Sequence, residues 1–383
     1  MKVSKNHVLA IFGIMGGILT GALSVYLPNR EKIEFAEDFQ SFFDCRDFLT
    51  EVNVSENQSE KNNTAVIDTM LKMYYDSWTA YTKNDHDSKE FVVETVNESP
   101  AATGCGFEID FDRYDNLYFS NVYQNSEAAK QGIITGDRVI SVDGENFGTK
   151  KYKLANELMG KDGTSCDIII MRDGKEKNIH FTRNISIENN LSSAFGKMYG
   201  DTLYIAVYKV DDYSDENVGR ILDEYKDFKS VVIDLRHNKG GVINSGINLA
   251  DYFVGYGEIC EHSYNGGDTV LSTNDDENDI KVPMAVLTDG LTASAGEMLT
   301  AIFKKYGGAV LVGENTFGKG VFQNKTIINK GILTYTAGYV TVGSMDYREK
   351  GIAPDIEIEM DYDENIIGTD KDIQLNKALE ILD

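Results

Sequence analysis

The sequence is poor in the residues that staple folds or hold metals. Four cysteines, Cys45, Cys105, Cys166 and Cys260, are scattered through 383 positions. None forms a CxxC pair, which excludes the usual zinc-binding spacings. They read as free, buried thiols, with a disulfide such as Cys105–Cys166 as the alternative if the chain is exported, and neither a metal nor a cofactor is expected. Positive charge is also short, with 37 Lys and Arg against 62 Asp and Glu and a net charge of −25. That balance argues against a nucleic-acid partner, whose phosphates are held by clustered Lys and Arg. Histidine is scarce, at five residues. A single long uncharged apolar run is present, Val8 to Leu27.

That run is 20 residues long and follows Lys2 and Lys5. At about 1.5 Å per residue it can cross ~30 Å of hydrocarbon. "GALSVYL" matches an A-x-A-like cleavage site poorly, so residues 8–27 are expected as an uncleaved single-pass anchor. The lysines would lie on the cytoplasmic side and the rest of the chain outside, with secretion after cleavage as the alternative. Gly13, Gly17 and Gly21 lie at GxxxG spacing, which reads first as the small-residue content of a membrane helix and, as the alternative, as a dimerising face that would make a homodimer.

The length predicts two or three domains beyond that segment. Residues 31–100 read as a polar linker ending in a small helical region, with helical periodicity over 65–81. Residues 101–185 read as a small β-rich domain. "LYFSNVY", "DRVISVDG" and "CDIIIMRDGKEKNIHFTR" are β-type runs, the last turning at "DGK", and two short helices lie between them. From residue 186 onward strands and helices alternate, the order of an α/β layer with crossover connections. Functional residues are then expected in loops at the carboxyl ends of the strands.

Two strand ends stand out. "VVIDLRHNKGG" closes on Gly240 and Gly241, which let a backbone turn expose N–H groups of the kind an oxyanion hole uses. "MAVLTDGLTASAG" leads to Ser294, where "SAGE" is also a capping box with Glu297 at N3. Small neighbours leave the hydroxyl uncrowded, but a nucleophilic serine needs a base. His237 adjoins the diglycine turn. Lys319 in "TFGKGVFQ" is the alternative, because a lysine desolvated among apolar groups loses basicity and can take a proton near neutral pH.

The whole pattern resembles the carboxy-terminal processing, or tail-specific, proteases, a serine peptidase family with a PDZ domain and a Ser-Lys dyad. The resemblance rests on "TASAGE", on "TFGKG" with its lysine 25 residues after the serine, and on a glutamine four residues further. "DLRHNKGG", "GIAPDIEI", "DIQLNKALEIL" and the PDZ-like "SEAAKQGIITGDRVISVDGENF" carry it further. Glu127, Gly296 and Val342 depart from the usual pattern. The resemblance implies a multidomain α/β protein: membrane segment 1–30, linker and helical region 31–100, PDZ-like peptide-binding domain 101–185 and α/β serine-protease core 186–383. It implies Ser294 as nucleophile, Lys319 as base and Gln323 orienting the lysine by a hydrogen bond. The oxyanion would be held by the N–H of Ala295 and that of Gly240 or Gly241. Gly104, Gly106 and Phe107 would lie where a PDZ domain holds a peptide end, so the partners would be proteins bound through their C-termini. The alternative is an inactive PDZ-containing adaptor on a protease-like scaffold.

Overall fold

The computed structural model describes residues 69–383 apart from 73–74, 84–99, 113, 115, 125, 149–151, 186–192, 265, 274–279, 329–330 and 361–366. The expected membrane segment, Cys45 and the 31–68 linker lie outside the described residues. Among the described residues no helix is long and apolar enough to cross a membrane.

The chain first forms strand β1 (Ala80–Lys83), short helix α1 (Pro100–Cys105), β2 (Phe107–Phe111), β3 (Leu117–Val122), α2 (Glu127–Lys130), β4 (Arg138–Val142), α3 (Tyr152–Leu158), β5 (Ser165–Arg172) and β6 (Lys175–Thr182). Next come β7 (Ala194–Tyr199), β8 (Thr202–Val207), α4 (Ser214–Glu224), β9 (Ser230–Asp234), α5 (Ile243–Asp251), β10 (Glu258–Ser263) and β11 (Gly267–Ser272). The rest is β12 (Met284–Thr288), α6 (Ala295–Lys305), β13 (Val310–Gly313), β14 (Val321–Ile328), β15 (Gly331–Val342), β16 (Ile356–Glu357) and α7 (Ile373–Leu382).

Among the described residues, strands β2 to β6 make a five-stranded meander in sequence order, β2 pairing with β3. Its β5–β6 hairpin turns at Asp173 and Gly174, both at positive φ, as the "DGK" signal predicts for a type I′ turn. Phe107, Phe119 and Phe181 pack edge-to-face in its core, together with the free, buried thiols of Cys105 and Cys166. Burial pushes the Cys105 thiol up to about 12, so it stays protonated at neutral pH.

The second sheet runs β16-β13-β12-β9-β8-β7, and all its neighbours are parallel except the antiparallel edge pair β7–β8. Its middle strands are buried on both faces and therefore read as continuous apolar runs. In β8 the period of two sends Leu203, Ile205 and Val207 into the core shared with α4, α5 and α6, while Tyr204 and Ala206 face the core under α7.

A third sheet has the order β1-β15-β10-β11, with β14 also paired to β15. The helical periodicity over 65–81 does not survive to its end. A helical turn covers 69–72, but Ala80 and Tyr81 are strand, paired with Thr334 and Leu333 of β15. Tertiary pairing wins over local pattern there, because an edge of β15 is available to be covered.

The β2–β6 sheet and the parallel sheet meet through aromatics. Tyr123 stacks on Tyr208 at 4.3 Å, and the backbone N–H of Gln124 donates to the Tyr208 hydroxyl at 2.8 Å. Beside them lies a cavity of about 800 Å³, lined by Ser120, Asn121, Tyr204 and His237 among others.

Candidate active site

Strands β9 and β12 are neighbours in the parallel sheet, so their carboxyl ends deliver two loops to one place. Asn238 ties the loops together. Its side-chain N–H donates to the Val207 carbonyl at 2.8 Å, its backbone carbonyl accepts from the N–H of Ala293 at 2.9 Å, and its Oδ1 accepts from the N–H of Gly240 at 2.8 Å. Asp289 caps the second loop by accepting from the N–H groups of Leu291 and Thr292.

These restraints hold Ser294 at φ 55° and ψ −121° at the mouth of α6. A positive φ at a non-glycine residue costs about 1–3 kcal/mol and persists only where surroundings impose it. Gly240 explains how the two loops come so close: a Cβ there would lie 2.7 Å from the Ser294 Cβ and 2.6 Å from the Ala295 nitrogen. Gly296, one of the departures from the family pattern, is also a close approach, since a Cβ there would lie 2.8 Å from the Asn238 carbonyl oxygen.

The N–H of Gly240 is consumed by Asn238. Gly241 is bridged in parallel to Val210, which bonds the Gly240 carbonyl and the Val242 N–H, so the N–H of Gly241 faces the other way. Ala295 is the first residue of α6, and its N–H has no preceding helical turn to bond. Of the glycine pair left open by the sequence, Gly241 is therefore the available donor.

Glu297 connects the serine to the lysine. It is 0% exposed. One carboxylate oxygen accepts from the Ser294 N–H at 3.1 Å and the Lys319 N–H at 2.8 Å. The other accepts from the Gly318 N–H at 2.6 Å and the Thr316 hydroxyl at 2.7 Å. The capping box read from "SAGE" thus holds the "TFGKG" loop as well as its own helix. Burial holds the Lys319 amine below the ordinary lysine range, against the opposing attraction of Glu297.

Trp78, the one tryptophan of the chain, was not singled out by sequence. The Lys319 Nζ stands 5.6 Å from its ring centroid, and its ring packs on Phe317 at 5.5 Å. Gln323 donates its side-chain N–H to the Trp78 carbonyl at 2.7 Å. The amide expected to orient Lys319 directly is bonded instead to the residue that covers it.

The ring of His237 is engaged elsewhere. Its Nδ1 is 3.3 Å from the Ser120 carbonyl oxygen and its Nε2 3.2 Å from the Asp289 carboxylate, in a buried seam between β3 and the strand ends. Arg236 is buried between Asp234 and Asp372, tying β9 to the start of α7.

The residues expected to hold a peptide end sit differently from that expectation. Gly104 lies in α1 rather than in a loop, and a Cβ there would strike Ile185. The N–H of Gly106 is donated to the Ala102 carbonyl at 2.8 Å, and the Phe107 side chain is a core residue, 1% exposed. Phe107 opens β2 with its side chain inward, so what it offers a ligand is backbone. From that same strand Asp110 reaches Lys239, beside the diglycine turn, at 2.6 Å.

A strained serine, a desolvated lysine and two backbone N–H groups at a strand end can supply a nucleophile, a base and an anion cradle, the parts of an acyl-transfer site. Residues 201–358 match the model of peptidase family S41. Over 311 residues it is 28% identical to a Staphylococcus aureus (strain N315) protein named "Probable CtpA-like serine protease", covering 79% of this chain and 61% of that one. The chain thus spans less than two thirds of that relative. Among solved structures, the photosystem II D1 C-terminal processing protease matches with a TM-score of 0.53 at 19% identity, over 81% of this chain and 86% of that one. A protein from Bacteroides fragilis NCTC 9343 described as "Putative S41 protease" matches with a TM-score of 0.56 at 16% identity, over 85% and 91%. At those identities the likeness is one of fold, a mixed α/β protease fold.

Proposed function

We propose that the chain is an exported, membrane-tethered serine endopeptidase that selects protein substrates by their C-terminal regions. The observation that carries this reading is the Glu297 carboxylate bonded to the backbones of both Ser294 and Lys319, which fastens a nucleophile to a base. Ser294 attacks the scissile carbonyl as Lys319, neutral at rest, takes its proton. Lys319 then returns the proton to the leaving amine, and water releases the acyl group by the same route. The tetrahedral oxygen is held by the N–H groups of Ala295 and Gly241. The start of α6 adds about 0.3–1 kcal/mol of favourable dipole.

Substrate choice rests on the resemblance of residues 101–185 to a PDZ domain, a module that takes an extended peptide end as an added strand. The Asp110–Lys239 pair ties β2 to the residue before the diglycine turn, which favours a peptide-sensitive gate over a tether. The anchor at 8–27 would keep the site on the outer face of the membrane.

Cleavage of an unfolded protein by wild type, Ser294→Ala, Lys319→Ala and the double variant tests the dyad. Residues acting as a unit lose activity non-additively, so the double variant should be hardly slower than either single one. Residual losses that multiply, or full activity in Lys319→Ala, would count against it. No cleavage by wild type would leave the inactive adaptor.

A further inference from the structure

A cluster lies away from the serine, on the β10–β11 hairpin. Cys260 and His262 are two residues apart on β10 and so point to the same face. Asp268 on β11 is the direct cross-strand partner of His262. One donor atom from each of the three lies within 4.8 Å of the others. The His262 Nδ1 is 3.0 Å from a carboxylate oxygen of Asp268 and 3.8 Å from the Cys260 sulfur.

The 3.0 Å and 3.8 Å separations bracket the edges of a tetrahedral coordination polyhedron, and the sulfur and carboxylate need only a rotamer adjustment to close on the same point. With about 2.0 Å to nitrogen, 2.1 Å to oxygen and 2.3 Å to sulfur, the ligands of a tetrahedral ion stand roughly 3.3–3.6 Å apart. The imidazole is also oriented from behind. Its Nε2 is 3.1 Å from the Thr341 hydroxyl, and its ring stacks on Tyr339 at 4.4 Å and 20°. A metal-binding histidine is usually fixed in this way through its other nitrogen, which leaves the ligating lone pair aimed at the ion.

We infer that Cys260, His262 and Asp268 form a site for a borderline divalent cation of the zinc class, with the fourth position open to water or an outside ligand. A sulfur, a nitrogen and a single carboxylate suit zinc, cobalt or nickel, whereas calcium and magnesium call for oxygen donors. An ion there would pin β11 to β10, which is itself paired to β15, the strand that also pairs with β14 just after Lys319. The spacing rules that excluded zinc start from paired cysteines. Here one cysteine is joined by a histidine two residues on and an aspartate six further across the hairpin, a pattern that a search for cysteine pairs passes over.

The test is independent of the peptidase reading. Untagged full-length protein in detergent is stripped with a chelator and titrated with cobalt(II), then with zinc in competition. The expected result is one equivalent of cobalt bound with a thiolate-to-metal absorption band, displaced by zinc but not by calcium. The band should vanish in Cys260→Ser, and cobalt affinity should fall at least about tenfold in His262→Gln and Asp268→Asn. Zinc should raise the melting temperature of wild type and not of Cys260→Ser, a near-isosteric change that leaves the ladder intact. Absence of cobalt binding in wild type, an unchanged band in Cys260→Ser, or equal displacement by calcium would each reduce the cluster to a surface His–Asp pair beside a thiol.

Discussion

The backbone N–H of Lys319 donates to the side chain of Glu297, 22 residues earlier, at 2.8 Å. A glutamate at the third position of a helix usually does no more than close a capping box. Here the same carboxylate takes N–H groups from both sides of the proposed dyad, so the position of the lysine loop relative to the serine depends on one buried anion.

Glu297→Gln keeps the size of that side chain but puts an NH₂ among N–H donors. Each stranded donor costs about 1–3 kcal/mol. The variant should melt measurably lower and lose roughly a hundredfold in turnover, as a displacement of about 1 Å between reacting groups does. A calorimetric scan beside a turnover assay checks both. Wild-type turnover would show that the clamp does not position the site.

Lys319 must be neutral to act as a base, and burial favours its neutral form. Activity should therefore rise with pH through an apparent pKa below the ordinary lysine value of about 10.4. Removing the indole in Trp78→Ala lets water reach the amine. Although this also removes a ring that favours the cation, desolvation is the larger influence, so the limb should move to higher pH. A pH–rate profile of the two proteins decides it. An unmoved limb would mean that Trp78 covers the site without tuning it.

Ser294 is held at φ 55°, a conformation that glycine adopts without penalty and alanine does not. Ser294→Gly should therefore be more stable than Ser294→Ala, by about 1 kcal/mol. Both should be inactive. Chemical denaturation of the two variants measures the difference, and equal midpoints would remove the strain from the account.

The local parts of the candidate site were legible in the sequence. Ser294, Lys319 and the diglycine turn each sit inside a short run whose composition is odd for its place, and the strand–helix alternation put them at strand ends. What sequence missed depends on contacts between distant segments. Trp78 covers Lys319 because Ala80–Lys83 pairs with β15, some 250 residues away, and no local pattern encodes that pairing. The same pairing ended the expected helix early. Choosing Gly241 over Gly240 required knowing where the Asn238 oxygen points. The Phe107 side chain follows the inward alternation of Ile109 into the core, so only its backbone is left to meet a peptide end.

The most direct test of the central claim is mass-spectrometric mapping of a fluorophosphonate probe on the full-length protein. The account predicts a single adduct on the peptide containing Ser294, lost in Ser294→Ala and reduced to a trace in Lys319→Ala, while His237→Ala labels as wild type. An adduct that persists in Lys319→Ala and disappears in His237→Ala, or one that forms on another serine, would contradict it.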